Sequence, residues 1–168
     1  MDPVQIQQQI DSLSSQVKTV QGQLTSHYHN GFDSNQIAWS DLYQKKVYIR
    51  HTIYGADAAT TANYGVFFIV PIACLVTAFK EVHETAGTDA GAVTIDLEKL
   101  TGTTAPGSGS SVLSSTLSLK ATANTVQSAT ITSTSANKTL AIGDRLALKR
   151  TGTLTSVAGV TVHVEITF

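Results

Sequence analysis

MDPVQIQQQIDSLSSQVKTVQGQLTSHYHNG, residues 1–31, carries the pattern from which the rest of the chain is read. Ile6, Ile10, Leu13, Val17, Val20 and Leu24 lie 4, 3, 4, 3 and 4 positions apart, an unbroken heptad seam. Apolar residues repeating at this interval face partner helices in a coiled coil and pack as knobs into holes. With Ile10, Val17 and Leu24 at a, the d positions hold Ile6, Leu13 and Val20. β-branched residues at d are poorly placed in a parallel dimer, so this layering favours three strands or more. The flanking positions are nearly all Gln and Ser, which removes salt bridges as the selector of partners and suits a homotrimer. Such a stalk spans roughly 30 Å and is marginal by itself, because short helices barely form in water. The alternative, a helix packed on its own domain, fits poorly with a stripe only two positions in seven wide.

The same register lands on His27, followed by Tyr28, His29, Asn30 and Gly31. Residues two apart in an extended segment point the same way, so three chains around an axis would bring three His27 and three His29 inward. Six imidazoles in two layers form an octahedral nitrogen site suited to iron, nickel or zinc. The plain alternative is two polar residues at a helix end, without metal.

His27-Tyr28-His29-Asn30-Gly31-Phe32-Asp33-Ser34-Asn35-Gln36-Ile37 resembles the H-x-H-N-G-x-D-S-x-x-I element of bacteriophage fibre and head-fibre proteins. Gly87 to Val93 and Gly143 to Leu148 are also similar to phage-fibre β-domain sequence, less diagnostically. The resemblance implies a coiled coil, a neck and a β-rich tip, with His-x-His as iron ligands. The chain lacks the repeated His-x-His pairs of long fibres, so one iron-like ion per trimer is the most the resemblance implies.

Of 168 residues, 14% are charged and the formal net charge is −1. No broad basic surface is available for a nucleic-acid backbone. Thr, Ser, Ala, Gly and Val dominate, a strand-and-turn composition. The Gln-rich opening reads as no secretory signal. The apolar run Val66 to Phe79 is broken by Pro71 and is too short to span a bilayer. Cys74, the single cysteine, falls in that run and reads as a buried thiol. The expected setting is therefore synthesis in a cytoplasm, and the phage-fibre resemblance implies that of a host cell and incorporation into a virion surface.

Asp2-Pro3 marks the helix start. The stalk covers residues 1–30 and a neck covers 31–46, with Trp39 expected at the junction between stalk and domain. Lys45, Lys46, Arg50 and His51 form one basic cluster, read as solvated charges flanking a first strand at Val47 to Ile49. The head, residues 47–168, reads as all-β. Gly55 to Asn63 is turn-rich, Tyr64 to Val70 and Ala73 to Val82 are strands parted by Pro71, and Val93, Ile95 and Leu97 alternate as a half-buried strand. Thr101 to Ser111 reads as an exposed, mobile tip, with Thr101, Pro106, Gly107 and Ser108 as candidate receptor contacts. Further alternation appears at Leu117 and Leu119, and Leu140 with Ile142, then Leu146 with Leu148, read as a pair of strands around the Gly143-Asp144 turn. Val160 to Phe168 reads as a closing central strand. Seven or eight short strands with regular turns predict a jelly-roll-like sandwich. Val66 to Ile69 and Ile72 are apolar on both faces, as expected where one face meets the core and the other a neighbouring subunit.

No active-site pattern emerges. Asp96 and Glu98 read as the solvent side of an amphipathic strand rather than a glycosidic pair. No serine stands in a nucleophile elbow, and Cys74 lies in apolar sequence. The expected protein is a mainly β, non-enzymatic structural component of a bacteriophage. In detail it is a trimeric coiled coil followed by a jelly-roll-like head, a head fibre or capsid decoration spike. Its partners would be itself and other virion proteins, most directly the capsid, with no nucleic acid and no membrane insertion. The alternative is a tail-fibre tip that attaches to a host-surface glycan.

Overall fold

The computed structural model describes residues 2–25, 46–53 and 65–168. The chain divides into two compact units, Met1–Tyr43 and Gln44–Phe168. In the first lies one helix, α1 (Pro3–Thr25). It begins where Asp2-Pro3 predicts, because proline has a helical φ already set and lacks an N–H that would go unpaired there. The Asp2 carboxylate accepts the Val4 N–H at 3.1 Å, and the Asp2 carbonyl accepts the amides of Gln5 and Ile6, so Asp2 is the N-cap. One helix in one chain does not establish a coiled coil. His27, His29, Trp39, the neck through Lys45 and the Gly55 to Asn63 turn lie outside the described residues, as does the side chain of Leu24.

The second unit is mainly β. Its elements are β1 (Lys46–Ile53), β2 (Gly65–Ile69), β3 (Cys74–Val82), β4 (Thr94–Leu100), β5 (Ser110–Ser111), β6 (Leu117–Ser118), β7 (Gln127–Ala129), the one-turn α2 (Ser135–Lys138), β8 (Thr139–Leu140), β9 (Arg145–Thr151) and β10 (Val160–Thr167). One sheet runs β1-β10-β3-β7 with β8 also on β3; the other runs β2-β9-β4-β5 with β6 also on β4. The pairs nest: β1 with β10, β2 with β9, β3 with β7 and β8, β4 with β5 and β6, all antiparallel. A long ribbon paired in this way and wrapped over itself brings β10 beside β3 and β9 beside β4, the order of a jelly roll.

Alternation explains the core. On β10, Val160, Val162, Val164 and Ile166 are buried while His163 is exposed. Val164 pairs across to Ile49 and Phe79, and this layer meets Ile95, Leu97, Leu146 and Leu148 of the other sheet. β10 sits between β1 and β3, as expected of a closing central strand. His51 of β1 stacks on Phe67 of β2, ring centroids 5.2 Å apart, and so links the two sheets.

Three sequence expectations need correction. β4 is buried on both faces rather than half-buried, and Asp96 and Glu98 are buried rather than solvated. Leu140 and Leu146 do not form a hairpin: Leu140 pairs with Cys74 in the first sheet, whereas Leu146 pairs with Phe68 and Lys99 in the second. Residues 141–144 therefore cross between sheets, with Gly143 at φ +85° in the turn. The basic cluster divides: Lys46 and Arg50 are exposed, while His51, on the opposite face of β1, is half-buried and burial lowers its pKa. The corners at Gly102 and Gly152 both carry positive φ. They lie at opposite ends because β4 and β9 are antiparallel.

Candidate functional site

The helical seam is open. Ile6, Ile10, Leu13, Val17 and Val20 are 43 to 61% exposed, and every described side chain of α1 is exposed. A row of large aliphatic side chains in water forgoes about 1.5–3 kcal/mol each relative to burial. That stored preference is available to a partner helix.

The outer faces of the two sheets are treated differently. On the second, Asp96 lies opposite Lys149, Glu98 opposite Ala147, and Leu100 opposite Arg145. The β4–β5 connection folds back over this row. Glu98 accepts the Gly107 N–H at 2.7 Å and faces the Lys149 ammonium at 3.5 Å. Ser111 Oγ donates to Asp96 at 2.8 Å, and Arg145 donates to the carbonyls of Gly102 and Thr104 at 2.8 and 3.0 Å. Gly109 passes so close that a Cβ would lie 2.7 Å from the Lys99 carbonyl oxygen. The loop expected to be a mobile tip is thus tied down at three points. Thr101 and Ser108 remain exposed, and Pro106 and Gly107 are half-buried. Burial pushes the Asp96 carboxyl above its ordinary range, with the Ser111 hydrogen bond opposing.

Beside the covered part of that face, apolar surface stays open. Val66 and Ile69 pair with Ala147 and Arg145, which places them on the same outer side at the sheet edge. Ile69 is 65% exposed and Ile142 is 71% exposed. Their turns are joined by the Gly143 N–H to Val70 carbonyl bond and the Val70 N–H to Asp144 carbonyl bond, 2.9 and 2.8 Å. Phe67 and Phe68 pack on the core. Lys99 closes this end of the sandwich by donating to the Ala136 and Thr139 carbonyls at 3.0 and 2.6 Å.

A buried polar pair lies at the other end of β3. His83 Nδ1 is 2.9 Å from Glu81 Oε1 and His83 Nε2 is 3.0 Å from the Ala121 carbonyl oxygen. Gln127 donates to the other Glu81 oxygen at 2.6 Å. Burial raises the Glu81 carboxyl, while its hydrogen bond to His83 opposes this. Since Nε2 faces a carbonyl, it carries the proton, and the pair anchors the 118–127 segment to β3. Cys74 is buried, and burial raises its thiol. Among the described residues no group of three His, Cys, Asp or Glu is placed to hold a metal ion, and no helix is long and apolar enough to cross a membrane.

No family model matches the chain, and no curated protein matches it. Among solved structures, a chain of the capsid of Ralstonia phage GP4 is similar, with 18% identity and a TM-score of 0.53 over 73% of this chain and 82% of that one. A chain of the cyanophage Pam1 capsid asymmetric unit shares 15% identity with a TM-score of 0.47, over 73% and 83% of the two chains. At 18% identity the first likeness is one of fold.

The heptad spacing and the helix that carries it are local features, visible in the sequence. Sequence reading missed what strand pairing assembles from distant segments. The cover over Asp96 and Glu98 depends on Gly107 and Ser111, residues that look like ordinary loop polarity until the chain turns back on itself.

Proposed function

We propose that the protein is a structural component of a bacteriophage virion surface, a short homotrimeric head fibre or capsid decoration spike without enzymatic activity. The observation that carries this reading is the exposed heptad seam on a helix whose described side chains are all solvated. Threefold winding would bury that seam at every layer. The exposed apolar edge of β2, with Ile72 and Ile142 nearby in the turns, supports further packing between copies. The fold likeness to a phage capsid chain agrees with a virion role. In the trimer, His27 and His29 would supply six imidazoles to one iron-like ion.

Sedimentation equilibrium of the full chain tests it. The expected species has three times the 17.7 kDa chain mass, and Val17→Asp reduces it. Elemental analysis of the same sample is expected to find one transition-metal ion per three chains. A monomer or dimer at micromolar concentration would end the fibre reading.

A second reading, a receptor-binding tip that recognises a host glycan, is favoured by one observation. The Thr101 to Ser111 loop is held in a single arrangement by Glu98 and Arg145, while Thr101 and Ser108 stay exposed. A preorganised loop loses little freedom on binding.

A further inference from the structure

The outer face of the first sheet is open and polar, and strand register builds a row across it. Arg50 of β1 lies directly opposite His163 of β10, and His163 lies directly opposite Lys80 of β3. All three side chains are exposed. Arg50 and Lys80 flank the imidazole at twice the interstrand spacing, about 10 Å, within reach of one group held between them. Like charges brought together across a sheet are unfavourable without a counterion, and none is supplied from within. The exposed row has no carboxylate within ion-pair distance among the described residues. Glu165, the nearest acid along β10, is already engaged by Lys46 at 2.9 Å and by the Thr77 hydroxyl at 2.7 Å.

A hollow of about 390 Å³ lies over this row, bordered by Arg50, Lys80, Val82, Val126, Thr161 and His163. Glu81 also borders it, yet the residue is 1% exposed and its carboxyl is spent on His83 and Gln127. Burial also favours its neutral form. Val126 is exposed on one side. Beyond His163, next to the hollow rather than in its lining, the exposed Tyr48 ring stacks against the imidazole, centroids 6.1 Å apart and planes inclined by 27°. Two cations with a positive potential between them, an apolar wall and an aromatic ring just beyond the imidazole match an anionic group carried on a sugar ring.

We propose that this hollow is a binding site for an acidic saccharide, its carboxylate or phosphate held between Arg50 and Lys80 and its ring extending past His163 to Tyr48. The site lies on one chain and does not depend on the trimer. It is also distinct from the Thr101 to Ser111 loop, so a failed oligomer test leaves it standing.

Nuclear magnetic resonance titration of the full chain at low salt tests it, with glucuronic acid, glucose 6-phosphate, glucose and inorganic phosphate as probes. Both charged sugars are expected to shift the amides of Arg50, Lys80 and His163, and glucose is not. Inorganic phosphate should bind more weakly than glucose 6-phosphate, and Tyr48→Ala should abolish that difference. Arg50→Gln and Lys80→Gln, whose side chains are exposed, should each weaken the charged sugars about tenfold, the scale of one charge-assisted hydrogen bond. Their circular dichroism should stay that of the parent. Silence with both charged sugars, or equal binding by both glutamine variants, overturns the site. Phosphate as tight as glucose 6-phosphate overturns the saccharide, and glucose as tight overturns the role of the charge.

Discussion

Asp96 is 9% exposed, with its carboxylate under Ser111 and beside Glu98 and Lys149. Because burial raises the folded carboxyl above its ordinary 3.8, the folded state holds the proton more tightly than the unfolded chain does. The stability from this group is fully present below 3.8 and is lost as pH rises through the raised folded value. Asp96→Asn keeps an oxygen for the Ser111 hydroxyl and removes the charge. It is expected to raise stability at pH 7 by about 1 kcal/mol and to flatten the decline of melting temperature with rising pH. Glu81, raised by the same cause, leaves a residual slope. Melting curves between pH 4 and 7 check this, and an unchanged slope would mean Asp96 is not desolvated. The residue scale is also where sequence reading failed most clearly. Asp96 and Glu98 alternate with Ile95 and Leu97, and nothing local to β4 announces that a later loop will cover their side. His83 was equally silent, since its partners Glu81 and Ala121 lie 2 and 38 positions away.

The strands with long apolar alternation, β3 and β10, are legible because burial on one side repeats at about every second residue. β5, β6, β7 and β8 are only two or three residues long, below the length at which alternation says anything. They exist because β3 and β4 offer open edges, and two short segments together fill each edge. The β4–β5 connection depends on the same tertiary context. Glu98→Ala removes the acceptor of the Gly107 N–H and the partner of Lys149. Because Glu98 is 1% exposed, about 2 kcal/mol of stability should go with it. Cleavage by a nonspecific protease should then concentrate between residues 101 and 109, where the parent resists. Identical cleavage patterns would show that Arg145 and the close passage of Gly109 over Leu100 suffice to hold the loop.

At the scale of the whole molecule, the helical seam and the β unit pose the same physical question, namely what covers exposed aliphatic surface. The heptad is readable because its period is contained in one short local segment. The β2 edge is readable only in part. Its apolar character on both sides is visible in Val66 to Ile69, but the neighbourhood of Ile69, Ile72 and Ile142 arises from two crossovers between sheets. If that surface also packs between copies, the β unit should associate without the helix. A fragment of residues 44–168, which forms a compact unit by itself, is expected to fold and to self-associate weakly in sedimentation velocity. Ile69→Ser with Ile142→Ser should then leave it monomeric, with little cost to folding because both side chains are exposed. A parent fragment that stays strictly monomeric at high concentration would confine any contact between copies to the helix. The open edge would then be left for a different protein.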